Sequence, residues 1–416
     1  MLSEEDNRLL TRVGPGTPMG TMLRTYWLPA LLSDELGGPD GDPVPLRLLG
    51  EDYVAFRDTS GSIGLLAGPC AHRCAPLAYG RNEEGGLRCL YHGWKFDVEG
   101  RILETPNEPA HSQIKQKVRH ASYPIVEAGG VIWTYLGDPA TAAPPPPLRW
   151  GSVPPEHRAV AKIPMAANYL QVVEGGLDTT HVGILHQHAM AALPEHPVTK
   201  TDDLKMLMGD TAPRLEIQST TFGFQYAAIR RANETTNYVR ITSYSMPWFT
   251  TVPHFPSVPQ QTQGYVPADD EHTWFWLFWE HDRPIDAHTL KVFQGADPVT
   301  GEFVMEGSRA NHHCQDRARM RQGHWTGFHG VMSEDSAMTE GMGAIVDRSR
   351  EHLGLSDAAV IRLRRLLLDT VRAFSEGKEP PGRRADLPIG APYAIATTCP
   401  ADKPWRELGA TDEHTS

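Results

Sequence analysis

The sequence predicts an α+β chain in two parts: a small antiparallel barrel or sandwich, then a larger domain whose antiparallel strands give way to helices. Three observations lead there. Short β-type runs alternate with turn clusters from position 44 to about 136, at the density of a small all-β domain. A second strand-rich, aromatic stretch covers 220–279, and the C-terminal third takes up helical spacing. Glycine and proline, 38 and 35 of 416 residues, exceed the usual share but stay below that of low-complexity chains, as in a turn-rich globular fold.

The strand-like runs of the first part are VPLRLLG, DYVAFRD, SIGLLAG, GGLRCLYHGWKFD and GGVIWTYLG. TAAPPPPLRW follows, where the prolines at 144–147 predict a stiff extended connector. The chain thus divides into an N-terminal arm over 1–40, a barrel over 41–143 and a larger domain over 144–416. Helical spacing covers 166–175. Near the end, Ser356 is placed to cap a helix in which Val360, Leu363, Leu367, Val371 and Phe374 step by 3, 4, 4 and 3. That stripe reads as core packing, and Gly377 with Pro380 and Pro381 ends the helix.

Charge and cysteine content narrow the function. A net charge of −12 repels phosphate backbones and anionic lipid, which argues against nucleic-acid and membrane-surface partners. The start, MLSEEDNRLL, lacks the basic-then-apolar order of a signal peptide. The densest apolar run, WFWLFW at 274–279, is six residues, far below the ~20 that span a bilayer. Five cysteines, an odd number in a long chain, predict a reduced cytoplasmic setting in which clustered cysteines bind metal.

The segment GPCAHRCAPLAYGRNEEGGLRCLYHGWKFDVEG holds Cys70-x-His72, a gap of sixteen residues, and Cys89-x-x-His92. Each pair falls in a tight turn after a strand-like run, so two short loops each present a thiolate and an imidazole. Such a set suits tetrahedral zinc, and equally a [2Fe–2S] cluster with cysteines on one iron and histidines on the other. Residue types alone do not separate the two. Zinc knuckles usually open with two cysteines two to four apart, whereas each loop here supplies one of each kind, which favours the cluster. Cys74 offers a C-x3-C alternative with Cys70 but reads better as a small buried thiol beside the site. The pattern CxHRxAxL…CxYHGWxFD resembles the Rieske domain of aromatic-ring oxygenases. Ala71 departs from the proline usual in that family, which touches loop stiffness and not ligation.

A second constellation lies in NYLQVVEGGLDTTHVGILHQ, which gives Asp178-x2-His181-x4-His186. On one helix Glu174, Asp178 and His181 share a face, but His181 and His186 stand about 140° apart. Both reach one metal if the helix breaks between them, and Gly183 is well placed for the break. Two histidines and a carboxylate with open positions form the ligand set of mononuclear non-haem Fe(II) oxygenases. The order Asn168…Glu174…Asp178-x2-His181-x4-His186 resembles the catalytic core of Rieske oxygenases. SEDSAMTEGMGAIVDRSREHLGLSD resembles the phthalate-dioxygenase branch, where an acidic residue before an (E/Q)-S/G-M-G run ligates iron. The match points to Asp335, with adjacent Glu334 as the alternative. Helical continuation through Met338, Thr339 and Met342 would set Asp335 at the start of an inward face. His312, His313, His324 and His329 form a competing cluster with either acid on spacing alone. No known ligand order supports it, and an outer-shell or structural role is expected.

The opening RVGPGTPMGTMLRTYWLPALLSDEL, the run LLGEDYVAFRD and the later IVDRSREHLG are also similar to the phthalate-dioxygenase type, so the resemblance spans nearly the whole chain. It implies a Rieske barrel followed by a helix-grip catalytic domain, in the terminal oxygenase component of a Rieske non-haem iron system. It implies that Cys70, His72, Cys89 and His92 hold a [2Fe–2S] cluster, and that His181, His186 and Asp335 hold a mononuclear Fe(II). Asp178 would link His181 to His92 of a neighbouring subunit. Such a link requires a head-to-tail ring, hence a homotrimer or a dimer of trimers, with Tyr91 and Trp94 near the interface. No dinucleotide fingerprint sits on a βαβ unit, and Val13-Gly14-Pro15-Gly16 reads as a turn. NAD(P)H oxidation then belongs to a separate reductase, in this family a flavin and iron–sulfur protein.

For the substrate, Arg230, Arg231 and Arg240 lie in the expected pocket sheet and suit an aromatic carboxylate, such as phthalate or a substituted benzoate. Trp248, Phe249 and Phe255 are candidate apolar walls. Ring hydroxylation and monooxygenation, including O-demethylation of a methoxylated aromatic acid, proceed from the same ligand set. A Rieske electron carrier without oxygen chemistry needs neither a second metal site nor a large second domain.

Overall fold

Where each strand falls is set by turn residues and apolar alternation, as seen in a computed structural model that describes residues 2–142, 145, 149–191, 202–253, 259–383 and 394–408. β1 (Trp27–Leu32) lies within the stretch read as an N-terminal arm. β2 (Val44–Leu48), β3 (Glu51–Arg57) and β4 (Ile63–Ala67) form an antiparallel meander. β5 (Arg81–Glu83), β6 (Gly86–Arg88), β7 (Lys95–Phe96) and β8 (Ile102–Glu104) form a four-stranded sheet. β9 (Ile125–Ala128) and β10 (Val131–Tyr135) join β1 in a third sheet, with β10 central. A compact core of Val54, Phe56, Leu66, Leu87 and Phe96 fills the space between the first two sheets and includes Cys70 and Cys89.

The second part is an eight-stranded antiparallel sheet. Its strands are β11 (Arg158–Met165), β12 (Arg214–Ser219), β13 (Gly223–Arg231), β14 (Thr236–Ser245), β15 (Phe249–Val252), β16 (Gln260–Pro267), β17 (Thr273–Glu280) and β18 (Ile395–Pro400). In space the order is β11-β17-β16-β15-β14-β13-β12. One edge of the long β14 is shared, its end pairing with β15 and its beginning with β18. The WFWLFW run is the interior of β17, between β11 and β16, and its unbroken apolar character matches burial of both faces.

Two helices fix the position of the second constellation. Tyr169–Leu177 starts three residues later than the spacing suggests, because Asn168 caps it, its Oδ1 accepting from Leu170 N at 3.1 Å. The Asn168 amide also donates to Thr11 O and Asp270 O, and the Tyr226 hydroxyl on β13 donates to Leu177 O, so sheet and arm grip both helix ends. Glu174 in this helix takes Arg348 and Arg364 in a nearly dry ion cluster that ties it to the Ala358–Ser375 helix. In the latter helix Val360, Leu363, Leu367 and Val371 are buried and Phe374 is half-buried. Its N-cap is Asp357 and not Ser356, which sits inside a preceding 3-10 turn, Leu355–Asp357. Gly377 leaves the helix at φ +86°, a left-handed value that suits glycine.

Among the described residues no helix is long and apolar enough to cross a membrane. Pro144, Pro146 and Pro147 of the expected connector, and Phe255, lie outside the described residues.

Candidate metal centres and the cavity beside them

Two turns of similar build carry the first constellation. In one, Cys70 N donates to Ala75 O and Cys74 N to Cys70 O, both at 2.8 Å. In the other, Cys89 N donates to Trp94 O at 2.8 Å and Gly93 N to Cys89 O at 3.0 Å. Both cysteines point into the small core, and burial, with Cys89 alongside, pushes the Cys70 thiol up to about 11. The histidines form the outer pair: the His72 and His92 rings meet edge to face with centroids 4.4 Å apart. Trp94 is stacked on His72 at 4.6 Å, so it belongs to the buried floor of the site and not to an outer interface. Tyr91 is 58% exposed. Cys74 is exposed as well, contrary to the buried thiol expected, because it occupies a left-handed corner of its turn at φ +57°.

This donor set fits a two-iron cluster better than a single ion. Nδ1 of His72 is buried with no hydrogen-bond partner, a cost that ligation would remove. Among the described residues, only His181, His186 and Asp335 bring three ligand atoms within 4.8 Å of one another. Cys70 lies within hydrogen-bond reach of Cys89 and the two imidazoles face each other, so the donors form a thiol pair and an imidazole pair, as two irons with Cys₂ and His₂ ligation require.

His181, His186 and Asp335 do converge. His186 Nε2 lies 3.2 Å from His181 Nε2 and 3.1 Å from Asp335 Oδ1, and His181 Nε2 lies 3.7 Å from the same oxygen. The helix break that allows this falls at Asp178–His181 and not at Gly183. Tyr169–Leu177 ends, and a single turn, Val182–Leu185, starts with His181 as its N-cap and ends with His186 as its C-cap. Gly183 is inside that turn, where a Cβ would press on Leu207 O at 3.3 Å, so its service is close packing.

Glu334 is not the third member of the trio. Fully buried, it accepts from His186 Nδ1 at 2.7 Å and from Thr326 Oγ1 at 2.6 Å. A carboxylate only accepts, so His186 donates from Nδ1 to Glu334, which leaves Nε2, facing Asp335, as the nitrogen that would give up its proton to a metal. Burial opposes charge on His186, yet the two acids flanking it push it up to about 10 in the metal-free chain. The same burial resists ionisation of Asp335, but His186 and His181 hold it below the usual carboxylate range. Asp335 and Glu334 stand on the Val331–Gly341 helix, whose inner face is Val331, Met332 and Thr339. Met338 and Met342 point outward, 45% and 58% exposed, so the inward stripe expected through them is absent.

Asp178 caps the end of its helix and is half-buried. Its Oδ1 accepts from Thr180 N and Oγ1, and its Oδ2 faces His181 Nδ1 at 3.3 Å. Burial raises its pKa, and the bonds from His181 and Thr180 outweigh this and keep it low. The competing histidines are dispersed: the His324 ring lies against His188, His313 faces Glu340 at 3.9 Å, and His312 is exposed.

A cavity of about 190 Å³ opens beside His181, His186 and Asp335, with Val172, Phe275, Phe293 and Met332 among its apolar walls. Of the three arginines expected there, only Arg240 lines it. Arg230 is buried and braces backbone, donating to Asp210 O at 2.8 Å and Thr179 O at 3.5 Å, while Arg231 is exposed on the other face of β13. Trp248 and Phe249 are core residues: the Trp248 indole donates to Trp27 O, and Phe249 packs on Trp133. The sequence reading missed Gln261 and Gln263, which line the cavity from alternate positions of β16.

Residues 26–124 match the Rieske [2Fe-2S] domain family, and residues 134–416 match the family described as "LigXa C-terminal domain like". The oxygenase subunit of phthalate 4,5-dioxygenase from Pseudomonas putida is 40% identical over 391 residues, covering 91% of this chain and 88% of that one. The oxygenase subunit of 5,5'-dehydrodivanillate O-demethylase from Sphingobium sp. is 33% identical, covering 95% and 87%. The fold is that of the terminal oxygenase of carbazole 1,9a-dioxygenase from Nocardioides aromaticivorans IC177, with a TM-score of 0.57 at 18% identity over 88% of this chain and 97% of that one. With both domains matched in the order of the two donor constellations, and relatives aligned nearly end to end, this chain belongs to the Rieske non-haem iron oxygenases of the phthalate-dioxygenase-like branch: it is an oxygenase component that uses a [2Fe–2S] cluster and a mononuclear iron.

Proposed function

We propose that this oxygenase hydroxylates the ring of an aromatic carboxylic acid, such as phthalate or a substituted benzoate, in the breakdown of aromatic compounds in the cytoplasm. The observation that carries the proposal is Arg240, the one arginine or lysine among the described residues lining the cavity beside His181, His186 and Asp335. A cation there suits a carboxylate and holds the ring against the apolar wall. The phthalate relative supports the acid, and five cysteines without a disulfide support the compartment. O-demethylation of a methoxylated aromatic acid is the second reading, favoured by the demethylase relative.

In this reading Cys70, His72, Cys89 and His92 hold the cluster, and His181, His186 and Asp335 hold the iron. Bound there, the cluster relays single electrons and Fe(II) activates dioxygen. Electrons come from NAD(P)H through a separate flavin and iron–sulfur reductase. Asp178 connects the sites between subunits: one oxygen orients His181, and the carboxylate is open enough to accept from His92 of a neighbouring copy. Exposed Leu90 and Tyr91 precede His92, and exposed Ile184 lies between the two iron histidines, so each site carries apolar surface suited to a head-to-tail trimer or a dimer of trimers.

The test is turnover with a reconstituted reductase. Phthalate or a substituted benzoate yielding a cis-diol supports the first reading; formaldehyde plus a phenol supports the second. Asp178→Asn tests the route. It should retain cluster absorption and most of the iron, while turnover falls by orders of magnitude and cluster reduction stays fast. Rapid cluster reoxidation coupled to product in this variant would show that electrons travel elsewhere.

A further inference from the structure

Two cavity glutamines, with a buried tyrosine behind one of them, form a unit that the aromatic-acid reading does not use. The Tyr265 hydroxyl donates to Gln263 Oε1 at 2.6 Å. The phenol is the donor in this bond and the glutamine carbonyl the acceptor. The amide of Gln263 is thereby held in one orientation, which leaves its NH₂ as the group with hydrogens to spare. Gly176 makes room for the lock: a Cβ at that position would overlap the Tyr265 hydroxyl and stand 2.7 Å from Gln263 Oε1. Two residues along β16, Gln261 also lines the cavity, and its Nε2 is buried with no hydrogen-bond partner.

The neighbouring strands extend the same surface. Gln261 pairs with Val252 on β15, and the cavity-lining residues of β14 are Thr242 and Arg240. Arg240 and the two glutamines are thus donors on the sheet wall of the cavity, which they share with Val252 and Phe275. A donor that a ligand satisfies strengthens binding, and the same donor left dry penalises a ligand without an acceptor.

We propose that Gln263, held by Tyr265 and assisted by Gln261, binds a second acceptor group on the substrate ring, so that the enzyme selects aromatic acids carrying a further carboxylate or similar oxygen function over simple benzoates. The proposal rests on the aromatic-acid reading and adds the half of the recognition that Arg240 does not supply.

The experiment is calorimetric titration of the intact holoprotein with phthalate, isophthalate and terephthalate, each against benzoate. The wild type should bind at least one dicarboxylate about tenfold or more tightly than benzoate. In Gln263→Leu that advantage should shrink to about threefold or less, because the dicarboxylate loses its donor and benzoate no longer meets a dry one. Gln263→Glu keeps the shape and still accepts from Tyr265, yet presents an acceptor to an acceptor, so it should lose at least as much. Tyr265→Phe, which frees the amide to rotate, should lose part of it. Unaltered cluster absorption and circular dichroism show that each variant is folded. A dicarboxylate advantage that survives both Gln263 variants would overturn the inference while leaving the aromatic-acid reading intact. A wild type that binds none of the four acids would overturn both.

Discussion

Glu334 and Asp335 are neighbours with opposite duties, because successive residues of a helix point about 100° apart. Asp335 faces His181 and His186, while Glu334 turns behind His186 and sets its proton. Spacing made the two histidines legible in the sequence, and the family resemblance pointed to Asp335 with Glu334 as the alternative. Spacing alone could not choose between the acids, since the choice depends on which way the Val331–Gly341 helix is rotated. A carboxylate behind a ligating imidazole raises its basicity, so Glu334→Gln should weaken iron binding by roughly tenfold to a hundredfold. The glutamine keeps the shape and the Thr326 contact, so the cluster should be untouched. Iron retained during a chelator challenge, read beside cluster absorption, measures this. Wild-type resistance to the chelator would mean that Glu334 serves packing alone.

At the scale of elements, the Tyr169–Leu177 helix is what carries Asp178 and starts the turn bearing the two histidines, and its hold on the fold is Glu174. Burial works against the Glu174 carboxylate, but Arg348 and Arg364 outweigh it and hold its pKa below the ordinary value. Removing Glu174 leaves the fully buried Arg348 guanidinium without a carboxylate, while Arg364 keeps Glu351, so Glu174→Ala should destabilise the protein by about 3–5 kcal/mol. The depressed pKa also fixes the sign of the pH dependence. A carboxyl depressed in the folded state stabilises fully above its unfolded pKa, and this contribution fades as pH falls through the folded value. Thermal melts at descending pH should therefore bring wild type and Glu174→Ala closer together in acid. A constant gap would assign the loss to packing. Apolar periodicity revealed the C-terminal helix to which Glu174 is tied, because its stripe is local. Its cap at Asp357 was misread because a 3-10 turn, Leu355–Asp357, shifts the helix start by one residue, and the break at Asp178–His181 because Tyr226 closes the preceding helix at Leu177 from a distant strand.

For the whole molecule, the same contrast governs topology. The hairpins β2–β3–β4 and β16–β17 are plain in the sequence because their partners are adjacent, whereas β18 joins β14 from some 150 residues away and β1 joins β10 across the whole barrel. Neither pairing leaves a local trace. The most consequential large-scale feature is the separation of the donor sets: the cysteines close over the small core of the first part, and His181, His186 and Asp335 stand on helices beside the eight-stranded sheet. If electrons cross from one copy to the next, a chain needs only one working site to be useful to its neighbour. Co-expression of a Cys70→Ser chain with a His186→Ala chain, each inactive alone, should then restore turnover. Random assembly places an intact cluster ahead of an intact iron site at about one interface in four, so about a quarter of wild-type activity is expected. Transfer within a chain would restore none, and the two defects would behave as alleles that never complement.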